Sequence, residues 1–466
     1  MKNGYRIGWM IAAIWLLQSC SILKEYKRPE LKSNIPSNYR LDTSVEDSTS
    51  MADVNWKDIF TDTILQRYIS TSLDSNFDML IAIQNIEKAN SFLNQANAGN
   101  IPVINAQLDY NGQYPSKYNG NPSGANRSFL NQYNLLGNLS WEADIWGKIK
   151  SQKKAAKAQY LQTVTVKNLI QTRLVASLAS IYYQLLALDE QIKVANESIE
   201  TRKESLQTTQ ALKDAGQLTA VAIKQTEAQV YDAQLTLLNL QKAVKQLENA
   251  FCILLSENPH QVERTTLESQ VISTELKTGV PILLLSNRPD VISAEYGLMN
   301  AFELVNVAKA SFYPTLKLTA STGLSSLEHN LFSGGAFFAS LGAGLLQPIL
   351  NRRQIRTQYE TALNDKEIAL LNYRKTILNA GKEVSDALAD YQNANESMDI
   401  EIKQVDALVM ATDYSRQLLK NGLATYLEVL TAQQSELGAQ LQLINTKYER
   451  LNAIVSLYQS LGGGWK

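Results

Sequence analysis

Cysteine and histidine are the rarest of the chain's metal-ligating and nucleophilic residues, with two of each: Cys20, Cys252, His260 and His329. A structural zinc site needs four such ligands at tight spacing, and these four are scattered. No nucleophile elbow, P-loop or dinucleotide glycine fingerprint occurs, and the carboxylates fall singly on helical faces, where they are solvated. Nothing here points to an enzyme. The chemistry that remains is at Cys20. Lys2 and Arg6 precede an apolar run from Ile7 to Leu17, too short to cross a bilayer but suited to the core of a signal peptide. The run ends in Leu16-Leu17-Gln18-Ser19-Cys20. Leu three before and Ser one before the cysteine resemble a lipobox, in which the thiol takes a lipid and the cysteine becomes the mature N-terminus. Gln18 departs from the small or branched residue usual at its place, and the alternative is a plain signal peptide with an incidental cysteine. Lys and Arg total 44 against 45 Asp and Glu, which disfavours a nucleic-acid partner, since phosphate binding needs a cationic surplus.

The elements that must position any site come in two copies. Residues 76–102 align without gaps on residues 288–314: Asp78 meets Asp290, Ala82, Ala89 and Ala96 meet Ala294, Ala301 and Ala308, and Pro102 meets Pro314. Small residues every seven positions read as a closely packed helix. After each proline the period changes to two. Ile104, Ala106, Leu108 and Tyr110 alternate with polar residues, as do Leu316, Leu318 and Ala320. A polar loop follows each, and a second strand returns, with Tyr133, Leu135, Leu139, Trp141 and Ala143 on one face in the first copy and Leu341, Ala343 and Leu345 in the second. This alternation suits strands with one face in lipid and the other on a watery lumen. Leu139, Trp141 and Leu341 are the lipid-facing candidates. Four strands cannot close a barrel, but several chains contributing four each could.

Behind each returning strand lies a long stretch with heptad seams: Leu174, Leu178, Ile181, Leu185, Leu188, Ile192, Ala195 and Ile199 in the first, and Ile377, Ala380, Val384, Ala387, Tyr391, Ala394 and Met398 in the second. Each seam runs to a polar break, "DAGQLTA" from Asp214 and "KNGLATY" from Lys420. Gly216 and Gly422 suit a helix end, and Thr219 and Thr425 suit the N-cap of the next helix. The breaks are therefore the two hairpin tips of a duplicated helical assembly.

At this point the chain resembles the outer-membrane efflux proteins, TolC-like channels, and among them the lipoprotein members that serve RND-type pumps. The resemblance rests on "LLQSC", "SWEADIWGKIKS", "NRPDVISAE", "AKASFYPTLKL", "LLQPIL", the two tips and "LYQSLGGGW", all in the family's order. It implies a mainly α fold with a small β part: a homotrimer with a long coiled-coil α-barrel in the periplasm and an outer-membrane β-barrel of four strands per chain. It implies a signal peptide at 1–19, an equatorial segment at 20–61, a first repeat at 62–255, an equatorial connector at 256–280, a second repeat at 281–454 and a last equatorial segment at 455–466. The implied function is the passive exit channel of a tripartite efflux system in a Gram-negative outer membrane, hydrolysing nothing and gated at its periplasmic tips. The implied partners are a periplasmic adaptor (membrane fusion protein), an inner-membrane RND transporter and outer-membrane lipid. No cofactor is expected beyond the lipid on Cys20. The adaptor-facing residues map to Ala215, Gly216, Gln217, Leu218 and Thr219 and to Asn421, Gly422, Leu423, Ala424 and Thr425.

One departure concerns the gate. Relatives often carry an Asp and an Arg just past the second tip, where this chain has Thr431 and Gln434. Glu227, Tyr426 and Glu428 are the other polar or aromatic gate candidates. Two other functions fit parts of the pattern: the exit channel of a type I protein secretion system, and a non-transporting coiled-coil scaffold lipoprotein, which the amphipathic strands argue against.

Overall fold

A computed structural model describes residues 23–30, 39, 50–114, 116, 129–270, 278–279, 281–327 and 330–465. Cys20 and the signal-peptide segment lie outside the described residues, as does part of the expected connector. The elements are α1 (Thr63–Ser75), α2 (Phe77–Asn97), β1 (Val103–Gln113), β2 (Leu130–Ala143), α3 (Lys148–Asp214), α4 (Ala220–Leu255), α5 (Pro289–Ala310), β3 (Thr315–Ser326), β4 (Phe337–Leu346), α6 (Gln354–Lys420) and α7 (Tyr426–Leu461), with short helical turns between some of them. The duplication is exact in length for the long helices: α3 and α6 have 67 residues each, and α4 and α7 have 36 each. At 1.5 Å per residue, α3 and α6 are each about 100 Å long.

The chain divides into two compact units. The first holds an antiparallel sheet in the order β1-β2-β3-β4. The pairing puts Ile104 opposite Leu139, Leu139 opposite Ala320 and Ala320 opposite Leu341, all on one face. Trp141, Leu318 and Ala343 form the next row, and Leu108, Leu135, Leu324 and Phe337 another. The opposite face carries Asn105, Asn138, Ser321 and Ser340 in register. There the Ser321 hydroxyl donates to Asn138 Oδ1 at 2.6 Å and the Ser325 hydroxyl to Asn134 Oδ1 at 2.7 Å. The face expected to meet lipid is thus apolar across all four strands, and Leu341 is 86% exposed on it. Aromatic side chains mark both ends: Tyr110 packs on Tyr133 at 5.1 Å, and Trp141 donates to the Asn100 carbonyl at 2.8 Å.

In the same unit, residues 24–28 run antiparallel along α5. The Lys24 carbonyl accepts from Asn306 at 3.0 Å, Tyr26 meets Phe302 edge-on at 5.7 Å, and Arg28 clasps Glu295 with two bonds of 2.6 Å.

The second unit contains most of the fully buried side chains, Tyr182, Tyr183, Phe251, Tyr373 and Tyr458 among them. Both expected heptad seams lie inward, with Leu174, Leu178, Leu185, Ala195 and Ile199 on α3 and Ile377, Ala380, Val384, Ala387 and Ala394 on α6 all buried. Three polar hubs tie the chain together here. Asp62 caps α1 by accepting from the Ile64 N–H at 2.8 Å, and also accepts from Tyr182 at 2.9 Å, Thr265 at 2.5 Å and Gln270 at 3.0 Å. Arg264 forks onto Asp189 at 2.5 and 2.9 Å and reaches Glu248 at 2.6 Å. The arginine of "NRPDV", Arg288, is buried and joins Asp290 at 2.7 Å, Glu383 at 2.6 Å and the Ser460 carbonyl at 2.7 Å.

Two outcomes test this picture. Arginine at Leu139 or Leu341 costs about 2–4 kcal/mol of folding into vesicles where the site lies at mid-bilayer, whereas lysine at Asn138 or Ser340 is tolerated. Equal tolerance at Leu139 and Asn138 contradicts the face assignment. Burial pushes the Asp62 carboxyl up, but hydrogen bonds from Thr265, Gln270 and Tyr182 outweigh it and hold the group below its ordinary 3.8. Its stabilisation is therefore complete above that value and lost as pH falls through the lower folded value. Asp62→Asn lowers stability by about 1–3 kcal/mol at neutral pH, and the gap to wild type closes on acidification, as thermal melts of the solubilised protein can show.

Candidate functional site at the hairpin tips

Each long hairpin reverses by the same hydrogen-bond arithmetic. At the first tip, the Gly216 N–H donates to the Lys213 carbonyl and the Gln217 N–H to the Leu212 carbonyl, both at 2.9 Å. At the second, Gly422 donates to Leu419 at 3.0 Å and Leu423 to Leu418 at 2.9 Å. Gly216 and Gly422 have φ of 72° and 71°, the left-handed conformation that such helix ends require and glycine adopts freely. Nothing lies within 4 Å of where a Cβ would stand at either, so the glycines are needed for their backbone angle and not for lack of space. Leu423 is 75% exposed at the second tip. Ala215, Gly216, Gln217, Thr219, Asn421, Gly422 and Thr425 are also exposed, while Leu218 and Ala424 are half-buried.

Thr219 and Thr425 occupy the N-cap positions of α4 and α7, as the sequence suggests. The tips differ in what the threonine does. Glu428 accepts from both the N–H and the hydroxyl of Thr425, at 3.4 and 3.1 Å. The position three after Thr219 is Ala222, and the Thr219 side chain makes no capping bond. The first tip is the less firmly capped of the two.

The five gate candidates separate into two groups. Glu227 pairs with Lys224 at 2.7 Å and accepts from Tyr231 at 3.1 Å, all on α4. Glu428 serves as the cap, and Thr431 donates to the Leu427 carbonyl of its own helix at 2.9 Å. Tyr426 and Gln434 instead bond to other helices. The Tyr426 hydroxyl donates to Gln225 on α4 at 2.6 Å, and Gln434 accepts from Arg202 on α3 at 2.9 Å.

Arg202 is the residue that sequence reasoning missed. It is 1% exposed and is the largest fully buried side chain. Its guanidinium donates to the Ser198 hydroxyl at 3.3 Å, to the Gln229 carbonyl at 3.0 Å and side chain, and to Gln434. It thus pins α3, α4 and α7 together, and every acceptor is neutral. Burial pulls its pKa down, with Asp232 acting in the opposite sense. A second buried bond, Gln433 to Ser205 at 2.8 Å, joins α7 to α3 alongside it. One signal was available: the first heptad seam, continued three residues past Ile199, lands on Arg202, a cation at a core position.

A four-stranded sheet with one apolar and one polar face, together with two helical hairpins whose longer arms run about 100 Å to glycine-turned tips, defines the subunit of a membrane channel of the TolC type. The family model for outer membrane efflux proteins matches residues 68–255 and 280–463, and the chain belongs to that family. It is 26% identical over 455 residues to the cation efflux system protein CusC of Escherichia coli O6:H1, covering 97% of each. It is 25% identical over 460 residues to the probable outer membrane lipoprotein SilC of Salmonella typhimurium, covering 98% of each. The structure of the outer-membrane channel OprN superimposes with a TM-score of 0.87 at 24% identity, covering 96% of this chain and all of that one. The protein is an outer-membrane efflux channel, as the sequence implied.

The buried arginine gives a direct test. Gln434→Leu leaves a charged donor without its acceptor and lowers stability by about 1–3 kcal/mol, whereas Gln434→Glu supplies a carboxylate and raises it. Melting of the helical circular-dichroism signal measures both, and identical midpoints for the two variants refute a role for this bond.

Proposed function

We propose that three copies of this chain close one channel, which forms the exit duct of a tripartite efflux assembly. A periplasmic adaptor docks on the hairpin tips, and an inner-membrane RND transporter supplies the energy. The chain itself hydrolyses nothing. The single observation that carries this reading is the sheet: four strands apolar on one face, with β1 and β4 each paired on one side only. Unpaired strand edges cannot be left in hydrocarbon, and about twelve strands from three such sheets make a closed barrel within the known range. The apolar side chains left exposed on α2, Phe77, Leu80, Ile81, Ile83 and Phe92, fit burial by neighbouring copies. Lipidation of Cys20 is part of the reading. The nearby segment 24–28, held along α5, gives a lipidated N-terminus a fixed leash, and SilC is described as a lipoprotein.

The tips are exposed and turn on glycines with open space around them, which suits a partner that approaches the backbone. Gly216→Trp and Gly422→Trp each cost about 1–2 kcal/mol through the backbone angle alone and leave a folded trimer. Each impairs efflux-dependent resistance, and the double variant impairs it more. Cysteines at Gln217 and Leu423 are expected to crosslink to the adaptor in cells. Crosslinks absent from both tips, or a trimer lost in the single variants, reject the docking role. SDS-resistant, heat-modifiable trimers in the outer-membrane fraction test the assembly itself.

A further inference from the structure

Both long helices begin with the charge that a helix N-terminus disfavours. Residues 148–157 contain Lys148, Lys150, Lys153, Lys154 and Lys157 and no acidic residue. The second copy has Arg352, Arg353 and Arg356, again with no acid between them. Neither first turn contains an acidic residue, although the helix dipole favours anions there and opposes cations; at α3 the Asp144 carboxylate, just before the helix, accepts from the Ile149 and Lys150 N–H groups at 2.9 and 2.8 Å. Some of this charge is matched. Lys148 pairs with Glu142 at 3.0 Å, Lys154 with Glu303 at 3.6 Å, and Arg353 and Arg356 share the single carboxylate of Glu360 at 3.1 and 3.0 Å. Lys150, Lys153, Lys157 and Arg352 make no ion pair among the described residues.

The backbone is also unusual here. Arg352 and Arg353 both have positive φ, 53° and 67°, a region that residues other than glycine seldom enter. α6 starts 206 residues after α3, which places Arg353 opposite Gly147, whose φ is 74°. The second copy thus holds an arginine where the first holds the residue the geometry prefers, and strain of this kind marks functional positions.

The two basic starts leave the same end of the sheet, because Ala143 of β2 pairs with Leu316 and Leu316 with Leu345 of β4. Bare apolar side chains lie beside the second: Leu345 and Leu346 are 68% and 60% exposed, and Ile349 and Leu350 are 90% and 97% exposed. Cations next to exposed leucine and isoleucine, at the rim of an apolar sheet face, match an anionic headgroup above its acyl chains. A free phosphate would leave the apolar residues uncovered, and a purely acidic protein surface would as well.

We propose that this rim binds the phosphate headgroups of anionic phospholipids in the periplasmic leaflet of the outer membrane, with Arg352, Arg353, Arg356, Lys150, Lys153 and Lys157 as the cations. The proposal rests on the sheet being the membrane-embedded part of the channel. It is tested on the full-length protein, purified in detergent with equal amounts of dioleoylphosphatidylglycerol and dioleoylphosphatidylethanolamine, by native mass spectrometry of the retained lipid. Wild type retains phosphatidylglycerol preferentially. Each cation removed lowers that preference about fivefold, so Arg352→Gln/Arg353→Gly/Arg356→Gln lowers it about 100-fold, and Lys150→Gln/Lys153→Gln/Lys157→Gln does likewise. Arg353→Gly alone raises the melting temperature while weakening lipid retention, a combination that a purely structural arginine would not give. Equal retention of the two lipids by wild type, or unchanged preference in both triple variants, overturns the proposal. So does stripping of phosphatidylglycerol by millimolar inorganic phosphate, or loss of adaptor crosslinking with lipid preference intact. Failure to form heat-modifiable trimers at all would strike at the channel assembly instead, which separates the two readings.

Discussion

Inside hydrocarbon, every backbone N–H and C=O must find its partner within protein. That constraint governs the rest of this chain. Its sheet satisfies the inner strands β2 and β3 on both sides and leaves β1 and β4 with one free edge each. The apolar face cannot stay in water, and the open edges cannot stay in lipid. Neither problem has a solution within one chain of four strands. The polar face, with its serine-to-asparagine bonds between strands, is suited to a wet interior, and the aromatic residues at the two ends of the apolar face suit the two bilayer interfaces.

The helical unit meets a different constraint. A helix of 67 residues exposes far more surface than one hydrophobic stripe can cover, so it must be fixed to its neighbours at intervals. The buried leucines and alanines of the seams do this over most of the length. Near the tips the seam changes character, and Arg202 replaces an aliphatic side chain at a core position. A guanidinium satisfied only by amides, a hydroxyl and a carbonyl is a polar fastening whose strength depends on geometry, because imperfect bonds leave a buried charge uncompensated. Such a fastening holds three helices in one arrangement more selectively than leucine would. It lies on the stretch of the hairpins that leads to the tips.

Much of this was legible in the sequence because it is periodic. The strands announced themselves by alternation, the seams by heptads, and the tips by glycine followed three residues later by threonine. Even the face of the sheet could be read, since Leu139 and Leu341 fell in one row through Ala320. The partners of the hubs were not legible. Asp62 draws its partners from positions 182, 265 and 270, and Arg202 from 229 and 434. Those distances along the chain carry no local signal, and only the fold brings the groups together. The gate candidates show the same limit: Thr431 and Glu428 looked equivalent to Gln434 and Tyr426 as polar or aromatic residues beyond a tip, yet the first two bond within their own turn and the last two reach another helix. Arg353 lay between these extremes. It stands where the first copy has Gly147, but only the structure shows that both take a positive φ.

The matched lengths of α3 and α6 have a consequence for how such a chain can change over evolutionary time. Adding one residue to α3 alone would carry its tip 1.5 Å further and turn it by about 100° relative to the tip of α6. The buried seam below the insertion would then face the wrong neighbours. Seven residues added together would nearly restore the rotation but would leave one tip about 10 Å beyond the other. The two halves of the gene are therefore not free to drift in length independently: a viable lengthening has to occur in both copies, by whole heptads, and each such event has to be matched by whatever the tips touch.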